Sequence, residues 1–155
     1  MLPVGLKSCF TVMSRMKGKL MVIADAGFVV GAAVATDQYH KACTEIFEQH
    51  DKIYLPQSTL AEVGYYLQKL SGNMGAAYFL EHLAASKYEV VALTDEDFIR
   101  TAELLRIYAD TRVDFVDASI AAVAERLNVK QILTVDKRDF YIIRPKHVDY
   151  FELLP

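Results

Sequence analysis

The stretch FVDASIAAVAERLNVKQILTVDKRDF, Phe115–Phe140, decides the fold. With Asp114 in front of it, the first half reads as a helix, DFVDASIAAVAERL. QILTV then reads as a short buried strand, and Asp136 follows it directly. A carboxylate at the end of a buried strand is costly to desolvate. Asp136 is therefore either a helix cap followed by a solvated turn or one of a group of acids that share a metal ion.

Working outward, the same alternation recurs. Leu20–Ala24 is an apolar run that stops at Asp25, and Gly27 permits a turn before a helix pattern of small and apolar residues. DQYHKACTEIFEQH carries Ala42, Ile46 and Phe47 at helical spacing. KIYLP is a strand ended by Pro56. Ser58 is the expected N-cap of TLAEVGYYLQKL, with Leu60, Val63, Leu67 and Leu70 as its apolar face. A break at Gly72 precedes a further helix, NMGAAYFLEHLAAS. YEVVAL is a strand, and TDEDFIRTAELLRIYAD opens on a capping box, Thr94 with Asp97. YFELL is the last strand. Strands alternating with helices predict an α/β fold with three layers, α/β/α, around a mostly parallel sheet.

The bulk properties are consistent with one domain. The chain has 155 residues, 53% of them hydrophobic, enough for a substantial core. A net charge of −3 does not mark a general nucleic-acid binder, although a local patch or a bound cation can reverse the sign of a site. Cys9 and Cys43 match no zinc spacing and make no disulfide framework, which points to a reducing, cytoplasmic setting. No apolar run has the length of a membrane span, and the first twenty residues lack the apolar centre of a secretory signal. Residues 1–19 read as a dispensable N-terminal extension without an assigned role, and 20–155 as the domain.

In open parallel sheets, ligands bind beyond the carboxyl ends of the strands. Asp25 and Asp136 follow strands. Glu62 and Asp117 lie in the first turns of helices that point back to that edge. Each has an ordinary reading too: Asp25 as a cap, Glu62 as an exposed member of an amphipathic helix, Asp114 and Asp117 as a D-x-x-D cap, and Asp136 and Asp139 likewise. Four caps need not converge on one edge, so the joint reading is the stronger one. Like charges gathered there repel, and an oxygen-only donor set suits Mg²⁺ or Mn²⁺. On this view Asp136 carries part of the repulsion, and Asp136→Asn is expected to raise the melting temperature of the metal-free protein.

The segments VIADAGFVVGA, PQSTLAEVGYYLQKL and FVDASIAAVAERLNVKQILTVDKRDF together resemble PIN-domain ribonucleases of the VapC toxin type, from Met21 to the C-terminus. The T-x-D-x-x-D-F run, Thr134–Phe140, is the most specific part. The resemblance implies a catalytic quartet of Asp25, Glu62, Asp117 and Asp136, with Asp25, Asp117 and Asp136 contacting the metal. It also implies Thr134 and Asp139 as accessory residues. Asp114 is either a fifth acid or, as favoured here, only the N-cap. Where the family often has Ser, Thr or Asn, this chain has Gly27, which removes a side chain from the site. The implied activity is Mg²⁺- or Mn²⁺-dependent hydrolysis of RNA, with a cognate antitoxin partner and a homodimer. Arg112, Lys137 and Arg138 are candidates for RNA contact, or members of a solvated loop. His40, His50, His82 and His147 read as surface or helix residues outside the site.

Three other classes fit the residues less well. A non-catalytic RNA- or protein-binding module of the same fold is compatible with Gly27. A phosphoacceptor receiver domain wants paired acids at the first strand, where VIADAG has one. A dinucleotide-binding enzyme lacks its G-x-G-x-x-G.

Overall fold

The computed structural model describes residues 20–155. The proposed extension, with Cys9, lies outside the described residues. Eleven elements follow in order: β1 (Val22–Ala24), α1 (Ala26–Ala33), α2 (His40–Gln49), β2 (Ile53–Pro56), α3 (Thr59–Leu83), β3 (Tyr88–Val91), α4 (Asp95–Ile107), α5 (Phe115–Arg126), β4 (Gln131–Leu133), α6 (Arg138–Ile142) and β5 (Glu152–Leu154). The strands form one parallel sheet in the order β3-β2-β1-β4-β5.

β1 sits at the centre and is buried along its whole length, as expected for a strand covered on both faces. Its alternation divides the core. Ile23 and Ile132 face a cluster with Leu104, Ile120, Val123 and Phe140. Val22, Ala24 and Leu133 face the opposite cluster, with Phe28, Val29, Ile53, Leu55 and Val63. Helices therefore cover both faces, giving the expected three layers.

The local signals hold in most places. Thr94 and Asp97 form the capping box of α4, with Asp97 N–H donating to Thr94 Oγ1 at 3.3 Å and Thr94 N–H to Asp97 Oδ2 at 2.9 Å. Gly72 breaks α3 with φ +68°, a left-handed conformation that favours glycine.

Three expectations need correction. Ser58 does not cap α3: its backbone is already helical (φ −57°, ψ −34°), and its hydroxyl lies 2.7 Å from Ser119 Oγ instead. Leu70 is not core. It is 56% exposed, and the buried residues of α3 end at Leu67, before the Gly72 break. The segment after Asp136 is not simply a solvated turn. It forms the short helix α6, whose Phe140 enters the core and whose Asp139 is buried.

Candidate active site

β1 pairs with β2 on one side and β4 on the other, so connections diverge there and leave a crevice at the carboxyl ends. A cleft of about 670 Å³ opens at that place. Its walls include Asp25, Glu62, Asp114, Asp117, Asp136 and Asp139, together with Arg112. The structure thus gathers all four acids of the predicted quartet with two of the three accessory positions. The third, Thr134, is fully buried beneath the cleft.

The cap reading of Asp25 holds, and its second oxygen has a further partner. Asp25 caps α1, accepting from Ala26 N–H at 2.7 Å through Oδ1, and it turns Oδ2 toward Thr134. Thr134 Oγ1 lies 2.9 Å from Asp25 Oδ2 and 3.0 Å from the Asp136 carbonyl, and accepts Asp136 N–H at 3.2 Å. One buried hydroxyl therefore ties the end of β1 to the loop after β4. Burial pushes the Asp25 carboxyl above its ordinary range, and the Thr134 and Ala26 hydrogen bonds oppose the shift.

Asp114 is the N-cap of α5, accepting from Val116 and Asp117 N–H at 2.8 and 3.0 Å, while Asp117 Oδ2 accepts Asp114 N–H at 3.3 Å. The cap reading holds, yet Asp114 also lines the cleft and adds charge to it. Burial first, and Asp114 second, push the Asp117 carboxyl up to about 7, with Asp25 and Asp139 adding to the repulsion. Burial also raises Glu62, with Asp114 and Asp25 contributing.

Asp136 behaves differently. Arg138 Nε donates to its Oδ1 at 2.8 Å, Arg138 Nη2 pairs with Oδ2, and Arg112 Nη2 stands 3.9 Å away. The Arg138 hydrogen bonds hold this carboxyl down to about 2. This overturns the expectation that Asp136 bears the electrostatic cost of the cluster: its charge is already compensated, and Asp117 carries the cost.

Arg112 Nε also sits 3.2 Å from Asp139 Oδ1, a buried oxygen that makes no hydrogen bond. Lys137 lies on the opposite side of Asp136, in a smaller hollow beside the cleft.

Gly27 has a packing reason. A Cβ there would stand 2.7 Å from Val135 Cγ2, so Val135 occupies the space where other side chains would project. The sequence reading missed Asp37, Tyr39 and Tyr66, which also line the cleft. The Asx turn in TDQY, where Asp37 Oδ1 accepts Tyr39 N–H at 2.7 Å, is a local signal that would have marked the first two. No histidine lines the cleft; His40 and His147, for example, sit 2.9 and 2.8 Å from the carbonyls of Gly31 and Val129.

Among the described residues, no three His, Cys, Asp or Glu side chains are arranged to grip one ion, and Asp136 is turned onto Arg138. The chemistry of the donor set nevertheless fits a hard divalent cation. All donors are oxygens, burial raises the carboxyls of Asp25, Glu62 and Asp117, and none of these three has an ion-pair partner among the described residues.

An acid-lined crevice at the switch point of a parallel α/β sheet defines a class of site suited to a hard cation and an anionic substrate. The chain belongs to the PIN domain family, whose model matches residues 22–144. It is similar to Ribonuclease VapC26 of Mycobacterium tuberculosis (strain ATCC 25618 / H37Rv), 24% identical over 135 residues, which is 86% of this chain and all of that protein. Among solved structures it resembles Mycobacterium tuberculosis VapC20, a sarcin-ricin loop cleaving toxin (TM-score 0.72, 19% identity, 83% of this chain and 98% of that one). It also resembles the DNA-bound VapBC of Salmonella typhimurium (TM-score 0.66, 19% identity, 86% and 98%). These structural likenesses establish the fold. No helix among the described residues is long and apolar enough to cross a membrane.

Proposed function

We propose that the protein is a Mg²⁺- or Mn²⁺-dependent endoribonuclease, the toxin of a toxin–antitoxin pair, acting on RNA. The observation that carries this reading is the convergence of Asp25, Glu62, Asp114, Asp117, Asp136 and Asp139 on one cleft. Similarity to a relative named as a ribonuclease and to VapBC complexes supports it.

In this reading Asp25, Asp117 and Asp136 would hold the cation, with Glu62 and Asp139 as accessory acids. The cation, when bound, polarises the phosphodiester and lowers the pKa of the attacking water. Thr134 fixes the orientation of the Asp25 carboxylate through its hydrogen bond to Oδ2. Asp114 fixes the first turn of α5, and thereby Asp117. Arg112, Lys137 and Arg138 meet the RNA phosphates. A cognate antitoxin restrains the enzyme, which itself forms a homodimer.

The test is cleavage of total RNA by partner-free protein with Mg²⁺, with Mn²⁺ and with a chelator, using Asp117→Asn alongside. Metal-dependent cleavage that Asp117→Asn abolishes is the expected result. Absence of cleavage by the parent, or unchanged cleavage by the variant, refutes it. A second reading, a non-catalytic RNA- or protein-binding module, is favoured by one observation: Asp136 is engaged by Arg138. That reading requires binding of RNA or protein without cleavage under any metal.

A further inference from the structure

Beside the acidic cleft lies a second hollow of about 520 Å³, lined by Tyr39, Val135, Asp136, Lys137 and Arg138. Its size falls in the ~300–1,000 Å³ range of small-ligand sites. Tyr39 and Asp136 line both cavities, so the hollow continues the cleft. The Tyr39 side chain is not part of the core: the residue is 41% exposed. Its backbone is nevertheless held firmly. Tyr39 N–H donates to Asp37 Oδ1 at 2.7 Å, and its carbonyl accepts Cys43 N–H at 2.9 Å in the first turn of α2. The ring is thus presented to the cavity from a rigid base.

The same hollow is also lined by two cations, Lys137 and Arg138. Lys137 has no ion-pair partner among the described residues. Among the described residues Arg138 is ion-paired only with Asp136, and its side chain is 65% exposed. Exposed ion pairs are screened and weakly held, so an incoming phosphate can take the guanidinium over. An exposed aromatic ring and two cations lining one hollow is the combination that binds single-stranded nucleic acid: the base stacks and the backbone is neutralised.

We propose that Tyr39, Lys137 and Arg138 form a subsite for one unpaired nucleotide next to the acidic cleft, with its base on the Tyr39 ring and its phosphate on Lys137 and Arg138. The proposal rests on the nuclease reading and narrows its substrate to RNA whose bases are unstacked beside the cleavage point. Stacking tolerates any base, so the subsite selects strandedness rather than sequence.

Binding is measured in chelator, where no turnover occurs, with the full chain and a fluorescein-labelled single-stranded RNA of mixed sequence. A backbone of the same length made entirely of abasic units serves as the second probe. Tyr39→Ala and Tyr39→Leu are expected to weaken RNA binding about tenfold, and Tyr39→Phe to retain it. The abasic backbone should bind the parent and Tyr39→Ala alike. Lys137→Gln should flatten the slope of log affinity against log salt by about 0.7, one single-strand phosphate contact. Equal RNA affinity of Tyr39→Leu and the parent overturns the subsite, as does a parent that binds no RNA. A parent that shows the Tyr39 dependence but never cleaves RNA with Mn²⁺ retains the subsite and refutes only the nuclease reading. A parent that cleaves while Tyr39→Leu binds normally refutes only the subsite.

Discussion

Asp117→Asn should stabilise the metal-free protein at alkaline pH and not at acid pH. Burial and the neighbouring Asp114, Asp25 and Asp139 hold the Asp117 carboxyl at about 7 against an ordinary value of 3.8. The folded state therefore keeps a proton that the unfolded chain has already shed. By linkage, stability falls as pH rises from about 4 to about 7 and is flat above that. Without screening the difference amounts to about 4 kcal/mol. Asp117 is only partly buried, and water screens it, which leaves ~1–2 kcal/mol. Asn is neutral and keeps an oxygen that can accept Asp114 N–H, so it removes the charge without removing the capping box. The expected gain is ~3–6 °C in melting temperature at pH 8 and close to nothing at pH 4. The order should reverse with excess Mn²⁺, because a cation at 100 times its Kd stabilises the parent by about 2.7 kcal/mol and the variant far less. Thermal melts of both proteins at pH 4 and pH 8, with chelator and with Mn²⁺, measure all of this. A chelated variant that melts no higher than the parent at pH 8, or a gain that does not depend on pH, refutes the assignment of the electrostatic cost to Asp117.

Asp136→Asn should have the opposite sign in chelator: Arg138 holds the Asp136 carboxyl down to about 2, a stabilisation present above pH 4 and lost as pH falls through 2. Because the pair is at the surface, the loss at pH 7 should be at most about 1 kcal/mol, read as a slightly lower melting temperature. Thr134→Val removes the donor to Asp25 Oδ2 and should cost about 1–3 kcal/mol in denaturant unfolding, since a buried acceptor is left unpaired. Gly72→Ala forces a Cβ into a left-handed conformation at φ +68° and should destabilise by about 1–2 kcal/mol, with no change in RNA binding. An unchanged denaturation midpoint for either of these last two would contradict the geometry.

The sequence by itself determined the alternation of strands and helices, the parallel sheet and the two capping boxes at Thr94 and Asp114. Those features depend on neighbours within one or two turns, and their spacing is written directly into the chain. It also marked Asp25 and Asp136, because a carboxylate straight after an apolar run is legible without knowing what lies across the sheet. The partnership of each acid was decided only in three dimensions. Thr134 reaches Asp25 across 109 residues, through the pairing of β1 with β4. Arg138 turns back onto Asp136 because α6 begins immediately after the loop. Ser58 looked like a cap until Ser119, on a distant helix, claimed its hydroxyl. Leu70 fits the apolar spacing of α3 but is exposed on the wall of the cleft. Periodicity states which face of an element is apolar, not where the neighbouring element ends. Likewise the count of carboxylates states how much charge must be compensated, while the path of the folded backbone decides which acid a guanidinium relieves and which keeps the cost.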